Sequence, residues 1–472
     1  MANADLELFL ARPVRLGKVP GRTAHVDSFD GEIVIEFSSP GAQAAFQRLV
    51  RRGGSRIHLT EIAARGGGAV AAREWKRTLT QLESGGAIGY AARAGRVTLL
   101  RAVPLQRAYD RTWKPVVPRG RVLLSRFAHV RRDGRQWILE SPLSFVRVEV
   151  GPGAVRILER LAQPATAATL AVACRISVSA CRDVLRLLQA GGFLTRVGRA
   201  GRTAEDADRA LVQWEFADLI MQHHSRVGRH DGVVGATYQF TGRYPPEPPT
   251  KPVSKTRAIP LFRPNIAALI RNDEPLTRVL ERRTSIRDFG TRPITVRRLG
   301  EFLFRAARVR QTYPVMAKRP YAFTSRPYPS GGACYPLEIY VVCGHCNGLP
   351  AGIYHYDPVA HALRVAGGDP ATVQWLLDDA RASQGLLSPA QLLFVFTARF
   401  RRLTWKYRSI ALATILKDVG VLLQTMYLVA TAMRLAPGAI GSGDSTRFGA
   451  AIGARFEDES SVGEFLLGSA PD

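Results

Sequence analysis

Tyr328-Pro-Ser-Gly-Gly-Ala-Cys-Tyr-Pro-Leu-Glu-Ile-Tyr-Val-Val342 is the stretch on which the reading of this chain turns. Its small residues let backbone approach a flat ligand closely, and the apolar, strand-like Leu337–Val342 behind them would fix the loop. Alone, this pattern equally describes a glycine turn before a strand. Four further stretches carry polar chemistry around it. Arg282-Arg283-Thr284-Ser285-Ile286-Arg287 alternates guanidinium and hydroxyl, which suits a phosphate as well as it suits a solvated basic surface. Gly352-Ile-Tyr-His-Tyr-Asp-Pro358 is an aromatic strand ending in a turn. Trp405-Lys406-Tyr407 precedes the apolar run Ile410 to Met433, and the glycine-rich Gly438–Asp444 follows it directly. That run contains Lys417, Asp418 and Gln424. Charges at mid-span cost roughly 2.5–3.5 kcal/mol each in a membrane, so the run is expected to be a core helix.

In this order and register, the motifs resemble the SagB-type (McbC-like) dehydrogenases, flavin-dependent azoline oxidases of the nitroreductase-like superfamily. The resemblance covers about 276–468. It rests on R-R-x-S-x-R, P-S-G-G-x-x-Y-P-L-E-x-Y, G-x-Y-x-Y and the closing Gly441-Ser-Gly443. It implies an α+β fold with a mixed sheet around a long central helix, FMN as cofactor, and a homodimer with flavin at the subunit interface. On that mapping Arg282, Arg283 and Ser285 are phosphate ligands and Arg287 meets the flavin ring edge. Pro329, Ser330, Gly331 and Gly332 face the pyrimidine side, Gly441 and Ser442 bring backbone near N5, and Gln424 on the central helix joins the cofactor set. Lys406 and Tyr407 match the family's catalytic pair. The reaction implied is oxidation of peptide thiazolines or oxazolines to thiazoles or oxazoles. A lysine beside a tyrosine serves as base if burial brings its pKa toward neutrality. Further phosphate-binding cations near the C-terminus, found in many flavin reductases of the superfamily, are absent before Asp472. The alternatives are an NAD(P)H-dependent flavin reductase of small molecules and a precursor-docking partner of a cyclodehydratase. Cys343-Gly-His-Cys346 is followed by turn residues and has no second cysteine pair nearby, so it is expected to be a strand-end turn and not a metal site.

Upstream, the chain repeats itself. Helices are expected at 42–51, 59–65 and 71–83, then Gly85-Gly86 and two short strands. The same order recurs at 154–161, 165–174 and 178–189, with Gly191-Gly192 and residues 193–197. Strand-like stretches precede each copy, at 32–37 and at 136–139 with 146–150. Three helices and a β-ribbon are the pattern of a winged helix. Two such modules are therefore expected at 1–115 and 116–200, a helical segment and Pro-rich linker at 201–256, and the nitroreductase-like domain at 257–472.

The 472 residues include 66 Lys+Arg and 39 Asp+Glu, a net charge of +27. Residues 1–200 hold 32 basic and 15 acidic residues, so the excess is densest there. Such a charge asks for an anionic partner. Family members often hold the leader of a ribosomal precursor peptide on such modules, which favours an acidic peptide over nucleic acid. A possible cyclodehydratase complex and no membrane partner complete the expectation. Five cysteines and no N-terminal apolar run point to a cytoplasmic protein.

Overall fold

The computed structural model describes residues 6–16, 23–198, 200–253 and 256–471. The expectations for the extreme N-terminus and for Asp472 lie outside them. Two compact units divide the chain, Met1–Gly232 and Val233–Asp472.

In the first unit the repeat is plain. Helices Pro40–Arg52, Arg56–Arg65 and Gly68–Ser84 form the first copy, and Val155–Arg160, Ala167–Cys174 and Val178–Ala190 the second. Ser39, Ser55 and Ser177 each accept a backbone N–H three residues on, which satisfies a donor the helix start would otherwise orphan. Strands Val14–Leu16, Thr23–Ser28 and Gly31–Glu36 precede the first copy. A six-stranded antiparallel sheet then joins the copies. The hairpin Ile88–Ala94 and Val97–Pro104 that closes the first copy pairs through Val146–Val150 with the strands leading into the second. One apolar core draws on residues from Leu6 to Leu194, on both sides of the expected boundary between 115 and 116.

The second unit is built on a seven-stranded sheet. Its order is Ala258–Pro260, Ala362–Gly367, Gly352–Asp357, Leu337–Cys343, Leu392–Arg399, Glu459–Ser469 and Leu435–Ile440. Every pairing is antiparallel, which corrects the expectation of a mixed sheet. Leu337–Cys343 and Leu392–Arg399 are buried along their whole length. Continuous apolar runs are typical of parallel strands covered on both faces; here both faces are covered although the strands are antiparallel. One face packs on the helices Val296–Ala307 and Ala411–Ala432, the other on Pro370–Gln384 and Ser445–Ile452. Gly438 lies in the edge strand, and the turn begins only at Gly441.

The 22-residue helix Ala411–Ala432 is long and apolar enough to cross a membrane. Ala411, Ile415, Asp418, Val419, Leu422, Met426 and Ala430 form one buried stripe at spacings of three and four. Its other side is open, with Leu412 46% and Leu416 40% exposed. The expected core helix is thus buried on one face only. The Pro-rich stretch is docked on this unit: Arg399 donates to Glu247 and Pro248, Arg402 to the Glu247 carbonyl, and Lys251 to Glu459.

Candidate active site

Ser330-Gly331-Gly332 leads into the central strand Leu337–Cys343 and is pinned from the long helix. Buried Asp418 accepts the Ser330 hydroxyl at 2.5 Å and the Gly331 N–H at 3.0 Å, and Ser330 Oγ in turn accepts the Tyr335 N–H at 3.0 Å. Desolvation raises the Asp418 pKa, although these two donors oppose the rise. Gly332, Ala333 and Tyr335 all hold positive φ, of 61°, 56° and 48°. The non-glycine positions each cost roughly 1–2 kcal/mol, so the loop is strained and held by its bonds. A Cβ at Gly332 would lie 2.3 Å from Lys406 Nζ and 2.6 Å from Tyr407 OH. A side chain there would push the lysine amine aside, and the φ of 61° favours glycine.

Lys406 and Tyr407 follow the short helix Phe400–Thr404. The pair Tyr407–Arg408 forms a two-stranded ribbon with Gly235–Ala236, while the Lys406 carbonyl accepts the N–H groups of Thr237 and Tyr238. Trp405 Nε1 donates to the Tyr244 carbonyl. Residues 233–244 therefore belong to the wall of the site. Lys406 Nζ donates to Tyr321 OH at 2.7 Å, and Tyr321 OH donates to the Gly332 carbonyl at 2.8 Å. Buried Arg402 bonds the carbonyls of Cys334, Ala322 and Glu247, and desolvation lowers its pKa to about 10.

Toward the C-terminal half of the long helix, Tyr427 gathers a second group. Its hydroxyl lies 2.9 Å from Ser285 Oγ and accepts the Ala439 N–H at 2.7 Å, and the Arg283 guanidinium sits 5.5 Å from its ring. Arg282, expected beside Arg283, instead donates to both oxygens of Glu274 at 2.7 Å. Pro329, Arg287, Gln424, Gly441 and Ser442 are exposed and, among the described residues, make no side-chain hydrogen bond to either group. Beneath the loop, a Cβ at Gly443 would meet Glu464 Oε1 at 1.8 Å. Desolvation, then Asp379 and Asp444, raise the Glu464 carboxyl to about 7.

Asp418 and Tyr427 are nine residues apart, roughly 14 Å along the helix axis. The open end suits a flat, anionic cofactor. Arg283 and Arg287 have no carboxylate partner among the described residues, and a Cβ at Gly441 would meet nothing within 4 Å. Among the same residues no cluster of three or more His, Cys, Asp or Glu could hold a metal, and the five cysteines are free. Cys343 ends its strand and Cys346 pairs with Leu349 in the following turn. Asp418 showed in the sequence only as a charge in an apolar run. Tyr321, Arg402 and Glu464 carried no local signal, since only the fold brings them to the site.

An α+β unit with a glycine loop, a lysine–tyrosine pair and a long helix open along one face has the parts the resemblance led us to expect. The Nitroreductase family profile matches residues 280–468, and that of the cyanobactin oxidase ThcOx matches 122–231. A protein of Methanocaldococcus jannaschii described as a nitroreductase, MJ1384, is 31% identical over 35% of this chain and 77% of its own length. The trifolitoxin-processing protein TfxB of Rhizobium leguminosarum bv. trifolii is 36% identical over 17% of this chain and 22% of its own. The microcin B17-processing protein McbC of Escherichia coli is 31% identical over 22% and 40%. The chain thus spans less than half the length of the two peptide-processing relatives. It belongs to the nitroreductase family, whose members use flavin.

Proposed function

We propose that this protein is an FMN-dependent azoline dehydrogenase that converts thiazolines and oxazolines of a ribosomal precursor peptide into thiazoles and oxazoles. The observation that carries the reading is Lys406 beside Tyr407, its amine bonded through Tyr321 to the Gly332 carbonyl of the glycine loop. Similarity to two peptide-processing proteins and to the cyanobactin oxidase profile supports the substrate class. FMN, when bound, supplies the two-electron acceptor. Arg283, Ser285 and Arg287 hold its phosphate and ring edge, while Gly331, Gly332, Gly441 and Ser442 present backbone to the ring. Lys406 and Tyr407 handle the proton on the ring carbon α to the carbonyl. Asp418 and Ser330 keep the loop rigid while they do so.

The exposed side of Ala411–Ala432 pairs with a second copy, which makes the enzyme a homodimer. The winged-helix-like modules of the first unit hold the acidic leader. The edge strand Gly31–Glu36 supports this, as does a hollow of about 570 Å³ lined by Ile57, Ala64, Ala72 and Leu79, with Arg73 and Lys76 among its lining residues. A peptide offers apolar side chains to such a floor; a phosphate backbone does not. The reaction takes place in the cytoplasm, beside the cyclodehydratase that makes the azoline.

The test is incubation of flavin-loaded protein with a cyclised precursor, read by mass. A loss of about 2 Da per ring, from removal of two hydrogens, is expected. Lys406→Ala should keep flavin and lose the mass change at least 100-fold. Nicotinamide-driven bleaching without any mass change in the peptide would favour a small-molecule reductase instead.

A further inference from the structure

The backbone of Lys406 is held on both sides. Its backbone N–H bonds the Leu403 carbonyl, and its own carbonyl is taken by Thr237 and Tyr238. A lysine side chain nonetheless carries about 2 kcal/mol of rotamer freedom, so the direction of Nζ is the freedom the fold must still remove. One side chain does this. Tyr321 has a single hydroxyl proton, and it goes to the Gly332 carbonyl at 2.8 Å. Its lone pairs are thereby turned to Lys406, whose Nζ donates to them at 2.7 Å. The amine also lies 5.0 Å from the Tyr321 ring and 4.9 Å from the Tyr407 ring, within the range of cation–π attraction.

Tyr321 itself cannot drift. It is 1% exposed, its ring lies edge-on to Trp405 at 6.4 Å, and Arg402 covers it at 5.5 Å. Arg402 bonds the carbonyls of Ala322, next to Tyr321, and of Cys334, two residues after Gly332, so one guanidinium ties together the two segments that carry the relay.

We propose that Tyr321 is the positioning residue of this active site, aiming the Lys406 amine by a hydrogen bond whose direction is set by the Gly332 carbonyl. The inference rests on the reading of Lys406 as catalytic. Burial pushes the Tyr321 hydroxyl up to about 12, so the phenol keeps the proton that orients the relay across the working pH range.

The experiment compares the unmodified chain, Tyr321→Phe, Lys406→Ala and the double variant. Flavin content, azole formation across pH, and pH-dependent labelling of Lys406 by an amine reagent are measured, the labelling on flavin-free protein as well. Tyr321→Phe should keep flavin, lose 10- to 100-fold in kcat with KM within two-fold, and shift the pH–rate profile. A misplacement of about 1 Å costs on that order. Labelling of Lys406 should rise several-fold, and the double variant should be no slower than Lys406→Ala. In the unmodified chain, Lys406 should label at least ten-fold more slowly than the exposed Lys318, a measurement that needs no variant to fold.

An inactive Lys406→Ala beside a Tyr321→Phe of unchanged kcat, pH profile and labelling would overturn the role of Tyr321 alone. Equal labelling of Lys406 and Lys318 in the native chain would do the same, as would a loss of stability and flavin in Tyr321→Phe with no change in pH profile. A fully active Lys406→Ala would remove the catalytic reading of the lysine, and with it this inference.

Discussion

The two ends of the long helix Ala411–Ala432 are finished to different degrees. Near its N-terminal half, Asp418, Ser330, Gly331, Gly332, Tyr321 and Lys406 form a closed hydrogen-bonded set within one chain. Farther along, Arg283 and Ser285 both meet Tyr427, and Arg287, Gln424, Gly441 and Ser442 stand exposed. On the proposed function, preorganisation is concentrated where the proton is handled, because a displaced amine loses rate steeply. On the same proposal the open end binds the cofactor, and cations without a carboxylate partner among the described residues retain their attraction for an anion. The contrast separates residues whose change should strike turnover from residues whose change should strike cofactor affinity.

Gly332→Ala is the strongest way to break the comparison. The new methyl would sit 2.3 Å from Lys406 Nζ at a φ of 61°. Azole formation should fall at least 100-fold while flavin content, read from the visible spectrum, changes little. Parallel loss of flavin would mean that Gly332 matters more for holding the ring than for placing the lysine. At the open end two adjacent arginines should differ. Arg283→Ala should weaken FMN about ten-fold in a fluorescence titration of flavin-free protein, whereas Arg282→Ala, whose guanidinium is engaged by Glu274, should change it less than two-fold.

The smallest effect concerns Glu464 under Gly443. Its folded pKa, raised to about 7, lies above the ordinary 4.5, so the folded state favours the protonated carboxyl. Its ionisation therefore costs nothing below about pH 4.5, and the cost grows through pH 7 to reach its full size above it. At about 1.4 kcal/mol per pKa unit, Glu464→Gln should stabilise the protein by up to ~3 kcal/mol at pH 8 and by nothing at pH 4, measured by thermal melting. Equal melting shifts at both pH values would contradict that sign.

Much of the fold was legible because it is written locally. Serine caps and the pairs Gly85-Gly86 and Gly191-Gly192 bound both helical copies, and Val146–Val150 and Gly352–Asp357 fall where alternation and turn residues put them. Pairing was not legible. Nothing in 88–104 announces that it will bond to Val146–Val150, and apolar runs do not state whether strands run parallel. The Pro-rich stretch forms neither helix nor strand, and its carbonyls serve as acceptors for Arg399, Arg402 and Trp405. In the candidate site, Lys406, Tyr407 and Ser330–Gly332 were readable as motifs and are brought together. Tyr321 and Asp418 were not, since their parts depend on partners 85 and 88 residues away. Likewise, two neighbouring arginines look alike until one of them meets Glu274.

The central claim is that a peptide azoline is the electron donor of this enzyme. Its most direct test is a single-turnover reaction without oxygen, in which flavin-loaded protein meets a cyclised precursor and no nicotinamide cofactor is present. The account predicts bleaching of the flavin absorbance matched one for one by azole rings formed. A flavin that stays oxidised with the peptide and bleaches only on addition of NAD(P)H would contradict it.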